Sequence, residues 1–366
     1  MVFLLFIIIG LVLSIISVFL CGLAPFITLK DFLFHHKHSL IKYSKKERLD
    51  IELKPLHNID PGYGHWLVHP CVRYIPDGFA GHKWWLVVSP YPKSNSYFEQ
   101  PVLYYGDSNH SIPPQKWIFV GIVQEPHNKG FNSDPNLYYD GQKLWVFWKE
   151  TKTENTLEEC NWHSIMARSF DGISFGPIQK MADNNNDSIA NVFSPTIMKV
   201  DGEIVMLATA FEHPRLFGNP LPFGHNHLAL WKLNQRKIES GQFVFQKVIK
   251  QSYPQNFNFW HADMCQDGSG AYYSVVTDEQ ARRLLIGISK NGQEYMFNKN
   301  ELLSSFGNNL GKLYKASMVI IEDDVFVFYP VRTGWLKKHR RSDIYYSKIC
   351  KKTLGSFFLD NGTKDN

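Results

Sequence analysis

The sequence predicts an all-β protein, a five-bladed β-propeller preceded by one N-terminal transmembrane helix. Three observations predict it. Residues 1–29 contain no charged side chain, a strand–turn–strand pattern then recurs five times, and no long helical periodicity follows residue 50. With 366 residues, 44% of them apolar and 15% aromatic, the chain can bury a large core. This composition excludes a disordered or collagen-like protein.

Segment 1–29 is predicted to be the transmembrane helix, because about 20 apolar residues suffice to cross a bilayer. Nothing basic precedes Val2 and no small-residue cleavage site follows. An uncleaved anchor is therefore favoured over a cleavable signal peptide. Segment 30–55, which is rich in lysine, is predicted to be a basic juxtamembrane linker. By the positive-inside rule, these basic residues favour a cytoplasmic location for the rest of the chain.

The five repeats each consist of an apolar strand, an Asp-containing turn and an aromatic-rich strand. The turn aspartates recur at intervals of about 60 residues, and they are Asp77, Asp140, Asp201, Asp267 and Asp323. One four-stranded blade per interval predicts a propeller over residues 56–350, followed by a polar tail over 351–366. A β-sandwich with chance spacing is the alternative.

Charge and cysteine content exclude several partners. The net charge of +5 is mild, and the basic residues are too dispersed for nucleic-acid binding. The five cysteines are widely spaced and form no CxxC or Cys/His pattern, so neither a disulfide framework nor a zinc site is predicted. His225 and His227 lack an evident third ligand, so no metal is expected. No cofactor is expected either, and we expect a monomer.

Polar residues stand where each innermost strand is predicted to begin, although apolar core is the default there. They are His69, Asp134, Ser194, His261 with Asp263, and Lys315. Because the innermost strands line the central channel of a propeller, these side chains are predicted to meet at one mouth of that channel. Capping of local turns is the alternative for Asp134 and Ser194.

These openings also carry a resemblance to a known family. The phrases that carry it are His69-Pro70, Tyr97–Pro101, Asn132–Pro135, Ser194-Pro195 and Trp260–Asp263. They resemble five-bladed propeller glycoside hydrolases, the arabinanase, xylosidase and fructosidase clan, and related bacterial and phage propeller proteins. The resemblance covers roughly residues 60–350. It implies hydrolysis of a glycosidic bond by two carboxyl groups.

The family's catalytic pattern is only partly present. In arabinanase-like propellers the first three blades open with an Asp base, an Asp that orients the acid, and a Glu acid. Here Asp134 matches the second position, whereas His69-Pro70-Cys71 and Phe193-Ser194 stand at the first and third. The usual catalytic pair therefore cannot be carried over, and other carboxylates are needed.

We predict that Asp134, Glu99, Asp263 and His261 are catalytic. Glu99 follows Tyr97 and Phe98, and an apolar pocket there would raise its pKa as a general acid requires. Asp263, next to His261, is a candidate base. The predicted substrate-binding residues are His69, Trp260, Ser194, Trp85, Glu212, Lys315 and Arg332. Tryptophans offer flat faces to sugar rings, and Lys or Arg pairs with acidic sugars.

The favoured function is a membrane-anchored glycosidase acting on a poly- or oligosaccharide. A catalytically inactive carbohydrate-binding propeller is one alternative, supported by Cys71 and Ser194 at expected carboxylate positions. A glycosyl-transferring enzyme, either phosphorylase or transglycosylase, is another. A polysaccharide substrate slightly favours the periplasm or cell surface, in conflict with the basic residues after segment 1–29.

Overall fold

The computed structural model describes most of the chain from residue 66 onward. The described residues are 47–48, 50–51, 66–92, 95–108, 110–125, 130–152, 162–183, 190–212, 215–216, 219–220, 225–249, 251–252, 257, 259–278, 282–298, 300–304, 313–333 and 341–359. The predicted transmembrane segment 1–29 lies outside them. Among the described helices, none has the length and apolar character needed to cross a membrane.

The strands are named in chain order. Before the first blade come β1 (Glu47–Arg48) and β2 (Asp50–Ile51). Blade one holds β3 (Leu67–Phe79), β4 (His82–Pro90), β5 (Val102–Gly106) and β6 (Lys116–Ile122). Blade two holds β7 (Gly130–Tyr139), β8 (Leu144–Lys152), β9 (Trp162–Phe170) and β10 (Phe175–Asp183).

Blades three to five follow. Blade three holds β11 (Ala190–Val200) and β12 (Glu203–Glu212), a hairpin of β13 (Arg215–Leu216) and β14 (Asn219–Pro220), then β15 (His225–Leu233) and β16 (Phe243–Val248). Blade four holds β17 (Gln251–Ser252), β18 (Phe259–Gln266), β19 (Tyr272–Asp278), β20 (Arg283–Ser289), β21 (Tyr295–Phe297) and β22 (Leu303–Ser304). Blade five holds β23 (Ser317–Ile321), β24 (Asp324–Thr333) and β25 (Arg341–Cys350). The described helices are the 3-10 turns η1 (Ser96–Phe98) and η2 (Ile238–Ser240), and α1 (Lys351–Leu359).

The main strands of each blade pair antiparallel and run outward from the channel, and only the short edge strands β2 and β17 pair in parallel among the described strands; this confirms the predicted five-bladed propeller. The recurring turn aspartates have a local role. Asp140 Oδ1 accepts hydrogen bonds from the backbone N–H groups of Gln142 and Lys143, both at 2.8 Å. Asp267 does the same for Ser269 and Ala271 at 2.9 and 3.0 Å. In these two blades the carboxylate caps the first hairpin, which explains the aspartate at positions 140 and 267.

Aromatic residues fill the spaces between blades. Trp84 and Trp85 are adjacent on β4 and therefore point to opposite faces of blade one. Trp84 packs against Phe326 and Phe328 of blade five, whereas Trp85 packs against Phe170 of blade two. Only 1% of Trp85 is exposed, so it belongs to the core between blades one and two. This corrects the predicted substrate-binding role of Trp85.

The N-terminal strands close the ring. β1 pairs antiparallel with β25 and supplies the fourth strand of blade five, while β2 pairs in parallel with β6 at the outer edge of blade one. The predicted basic linker 30–55 thus contains two strands that bridge the first and last blades. At the other end, the predicted polar tail begins with α1, whose Leu354 is buried against the core of blades four and five.

Deleting this N-terminal bridge is expected to loosen the ring. A chain that begins at residue 56 loses both strand pairings, whereas one that begins at residue 47 keeps them. Each backbone hydrogen bond contributes about 0.5–1.5 kcal/mol, and 1 kcal/mol corresponds to about 2–4 °C in Tm for a domain of this order of size. We expect the shorter chain to melt about 3–8 °C lower by calorimetry. Equal melting temperatures would show that the bridge is dispensable.

Candidate active site in the central channel

A shared backbone distortion marks the opening of the innermost strands. His69, Asp134 and Ser194 have φ of 54°, 56° and 54°, and Tyr314, just before Lys315, has φ of 41°. In blades one to three the pairing register with the second strand shifts at the distorted residue. A non-glycine residue in this left-handed region is strained, and a bulge redirects side chains. Similar strain at three blade openings points to a site, because strained residues cluster at functional positions.

Two residues further along each strand lies a ring of five buried polar or sulfur-bearing side chains, the channel ring: Cys71, Asn136, Thr196, Asp263 and Ser317. Its members link neighbouring blades. The backbone N–H of Leu137 donates to Cys71 Sγ at 3.2 Å, and that of Ile197 donates to Asn136 Oδ1 at 3.1 Å. Met318 N–H donates to Asp263 Oδ2 at 3.3 Å. Part of the polar pattern read from the sequence therefore holds the channel together.

Asp263 is the centre of the channel ring rather than a group that faces substrate. Arg73 donates to both of its carboxylate oxygens, at 3.0 and 2.7 Å, and Ser317 Oγ donates to Oδ2 at 2.5 Å. Asn136 and Thr196 donate to Oδ1. Burial opposes ionisation, but the Arg73 guanidinium outweighs it and lowers the pKa of Asp263 to about 2. With both oxygens occupied, Asp263 has a structural role, which corrects the prediction that it is a catalytic base.

Three other predicted residues meet above the ring and form the His–Asp cluster: His69, Asp134 and His261. The distance from His69 Nε2 to Asp134 Oδ1 is 3.5 Å, and that from His261 Nδ1 to the same oxygen is 3.7 Å. The two imidazole centroids are 5.1 Å apart. All three side chains are buried. The cluster joins blades one, two and four, as the sequence analysis anticipated for these positions.

A lysine that the sequence analysis missed completes the surroundings of Asp134. Lys149 Nζ lies 3.2 Å from Asp134 Oδ2 and over the rings of Phe131 and Phe193, at 5.5 and 5.6 Å from their centroids. Lys149 belongs to the predicted strand segment Trp145–Glu150. In a half-buried strand, polar residues are expected at alternate positions, so the pattern does not single out this lysine. Nothing in the local sequence distinguishes it from an ordinary surface lysine.

The protonation states within the cluster follow from burial and charge. Burial alone would raise the pKa of Asp134, but Lys149 and the two histidines hold it well below its ordinary value. Burial lowers the pKa of His69 to about 4, despite the opposing effect of Asp134, and lowers that of His261 well below 6.5. At neutral pH the cluster therefore consists of one carboxylate and two neutral imidazoles.

Glu99 lies beside this cluster and has the opposite character. Its backbone is fixed between η1 and β7: its N–H donates to Ser96 O at 2.8 Å, and its carbonyl accepts from Asn132 N–H at 3.1 Å. Burial, reinforced by the Asp134 carboxylate, raises the pKa of Glu99 from 4.5 to about 8. Glu99 therefore holds its proton at neutral pH, and the cause is its burial and the nearby Asp134 carboxylate rather than a contact with Tyr97, which is exposed.

The His–Asp cluster can hold a divalent cation. One donor atom from each residue lies within 4.8 Å of the others. Among the described residues, neither ring nitrogen of His261 nor Nδ1 of His69 has a hydrogen-bond partner, although all are buried. Two neutral imidazoles and a carboxylate are a common donor set for zinc and other divalent metals. The sequence did not predict this candidate site, because three ligands contributed by three blades leave no spacing motif in it.

The remaining predicted residues are divided between the site and the framework. Ser194 is fully buried, and its Oγ has no hydrogen-bond partner among the described residues. The half-buried Trp260 places its ring 5.6 Å from that of His261. Lys315 is fully buried and donates to the carbonyl oxygens of Pro135 and Pro195, so it lies inside the channel.

Glu212 and Arg332 lie in β12 and β24, but their side chains fall outside the described part of the structure. Their predicted contacts with substrate remain predictions.

No protein-family model and no curated protein matches the sequence, but many solved structures share its fold. An N-acetylgalactosamine deacetylase from F. plautii, in complex with blood group B trisaccharide, matches with a TM-score of 0.67 and 13% identity over 87% of this chain and 98% of that one. The β-xylosidase RS223 matches with a TM-score of 0.56 and 12% identity over 83% and 95% of the two chains. The GH43_1 enzyme from Xanthomonas citri, complexed with xylotriose, gives 0.56 and 11% over 87% and 92%.

The structural neighbours thus include glycosidases of the propeller clan that the sequence motifs resemble, together with a deacetylase. At these identities the comparison establishes the fold and leaves activity to be argued from the site.

Proposed function

We propose that this protein is a metal-dependent hydrolase that removes an acyl group from a carbohydrate. The observation that carries the proposal is the His–Asp cluster, whose buried nitrogens His69 Nδ1, His261 Nδ1 and His261 Nε2 have no hydrogen-bond partner within the described part of the chain. The neighbour with a TM-score of 0.67 is a deacetylase of an acetylated sugar, which supports the same class of substrate. Moreover, the sequence resemblance puts His69-Pro70-Cys71 and Phe193-Ser194 where glycosidases of this clan have two of their carboxyl groups.

The residues of the site have separable tasks. His69, Asp134 and His261 would hold the cation, which when bound supplies Lewis-acid polarisation and activates water at neutral pH. Glu99, protonated at neutral pH, lies beside the cluster and donates a proton to the departing amine or alkoxide. The exposed part of Trp260 offers an apolar face to the sugar ring.

Hydrolysis of a glycosidic bond is the second candidate, and one observation favours it. The pKa values of Glu99 and Asp134 are displaced in opposite directions, which gives one protonated and one ionised carboxyl group. Two carboxyl groups in these states are what an acid and its partner need in a glycosidase. The glycosidases among the structural neighbours support this candidate.

One experiment separates the two candidates. The purified full chain is incubated with a panel of acetylated and unacetylated oligosaccharides, and released acetate and new reducing ends are measured separately. We expect acetate release that a chelator abolishes and that Zn²⁺, Mn²⁺ or Co²⁺ restores. His261→Ala should remove this activity, whereas His110→Ala, an exposed histidine of blade one, should not. Chelator-resistant formation of reducing ends would instead establish a glycosidase.

We also propose that segment 1–29 anchors the propeller to a membrane, with the propeller on the periplasmic or extracellular side. The apolar length of the segment and the expected carbohydrate substrate support this arrangement, against the basic residues that follow it. Protease added to intact cells should digest an extracellular propeller, and protease added to spheroplasts should also digest a periplasmic one, while both treatments spare a cytoplasmic marker. Protection of the propeller until the inner membrane is opened would place it in the cytoplasm.

A further inference from the structure

Lys149 makes an unusual contact with the only carboxylate of the His–Asp cluster. Its Nζ is 3.2 Å from Asp134 Oδ2, yet that oxygen has no aligned hydrogen bond among the described residues. The lysine therefore provides a nearby positive charge without a directed bond. Only 14% of the Lys149 side chain is exposed, so solvent screens this charge weakly.

The position of the ammonium is fixed by its apolar surroundings. Phe131, at the start of β7, and Phe193, on β11, place their rings on the Lys149 ammonium, and both contacts fall within the range of cation–π attraction. The two rings come from blades two and three. These contacts place the positive charge of Lys149 next to Asp134, at the edge of the His–Asp cluster.

The other charged and titratable groups around Lys149 favour the same arrangement. Glu99, His69, His163 and His261 all interact electrostatically with Lys149. In the described part of the chain, the carboxylate within ion-pair distance of the Lys149 ammonium is that of Asp134. A divalent cation bound by the cluster would therefore share this carboxylate with the Lys149 ammonium.

We propose that Lys149 sets the cation affinity of the His–Asp cluster by competing for Asp134 from its Oδ2 side. This inference rests on the proposed function, since it concerns the same cation. Removing the ammonium removes a repulsive unit charge from the surroundings of a doubly charged ion, and it frees the second carboxylate oxygen. Both changes tighten binding. Lys149 is a positioning residue here, because it acts through Asp134.

The test measures cation binding directly. Zn²⁺ and Mn²⁺ are titrated by calorimetry into the full chain purified in detergent, and Co²⁺ binding is followed by its visible absorption. We expect Lys149→Met and Lys149→Gln to lower Kd at least tenfold, and Lys149→Arg to stay within threefold of the parent. Lys143→Met is the matched control: this lysine, near the start of the same strand, pairs with Glu239 at the surface and should leave Kd unchanged. His261→Ala should abolish binding.

Each outcome decides a different point. If the parent binds the ions but Lys149→Met and Lys149→Gln bind no more tightly, Lys149 does not compete and the inference is overturned. If the parent fails to bind and the two variants bind, the competition is confirmed while the proposed metal dependence of the parent fails. Absence of binding in all folded variants overturns both. Circular dichroism shows which variants are folded. Because Lys149→Met and Lys149→Gln are independent neutral substitutions, the test still stands if one of them misfolds.

Discussion

Glu99→Gln is expected to lower the rate of hydrolysis about 10²- to 10⁴-fold, the usual contribution of a positioned proton donor. The amide keeps the size and polarity of the carboxyl group but has no acidic proton to transfer. Glu294→Gln, an exposed residue before β21, is the control and should retain full activity. Steady-state kinetics on the active substrate measures both. If Glu99→Gln retains the parental rate, Glu99 is not the proton donor.

The same residue sets the expected pH dependence. Burial raises the pKa of Glu99 to about 8, so the proton-donating form predominates below that pH and is lost as the pH rises through it. The kcat/KM of the parent should therefore be level between about pH 6 and 7 and fall above about pH 8. The residual activity of Glu99→Gln should lack this descending limb.

Stability provides a readout that does not depend on activity. The unfolded chain releases the Glu99 proton near pH 4.5, whereas the native protein keeps it to about pH 8. Between these values the native state binds more protons, so the free energy of unfolding falls as pH rises through this window. Glu99→Gln removes this contribution, and its stability should decline less across the same range. Denaturant unfolding at several pH values measures the difference.

The sequence was sufficient for the fold because the repeat has a local physical cause. The carboxylate of Asp140 caps its own hairpin turn, and Asp267 does the same two blades later. A turn that is stabilised by its own residues can be recognised from a short stretch of sequence, as at these two positions. The bridge formed by β1 and β2 leaves no such signature, because its partners are far away in sequence.

The site was predictable only in part, for reasons that particular residues make clear. His69, Asp134 and His261 were found because they open innermost strands. His261 and Asp263 are two positions apart on the same strand, so the sequence pattern predicts the same environment for both. It does not reveal that Asp263 pairs with Arg73 while His261 lies in the candidate site. Lys149 was missed because its partners, Asp134 and Phe193, lie on other strands.

Asp263→Ala is expected to destabilise the propeller by about 3–5 kcal/mol, the cost of removing one partner of a buried ion pair. The substitution leaves the Arg73 guanidinium, 17% exposed, without its carboxylate. It also removes the acceptor of Met318 N–H and of Ser317 Oγ, which join blades four and five. Chemical unfolding followed by tryptophan fluorescence measures the loss.

An exposed ion pair of the same length is the control for this prediction. Lys348 Nζ and Asp324 Oδ2 are also 2.7 Å apart, but their side chains are 51% and 37% exposed. Asp324→Ala should cost less than about 1 kcal/mol, because water screens such a pair and solvates the lysine that remains. Since both ion pairs have the same length, a difference between the two losses of stability measures the effect of burial rather than of charge. If Asp263→Ala kept parental stability and lost activity instead, Asp263 would be a group of the active site, and the structural role derived from its five hydrogen-bonding neighbours would be refuted.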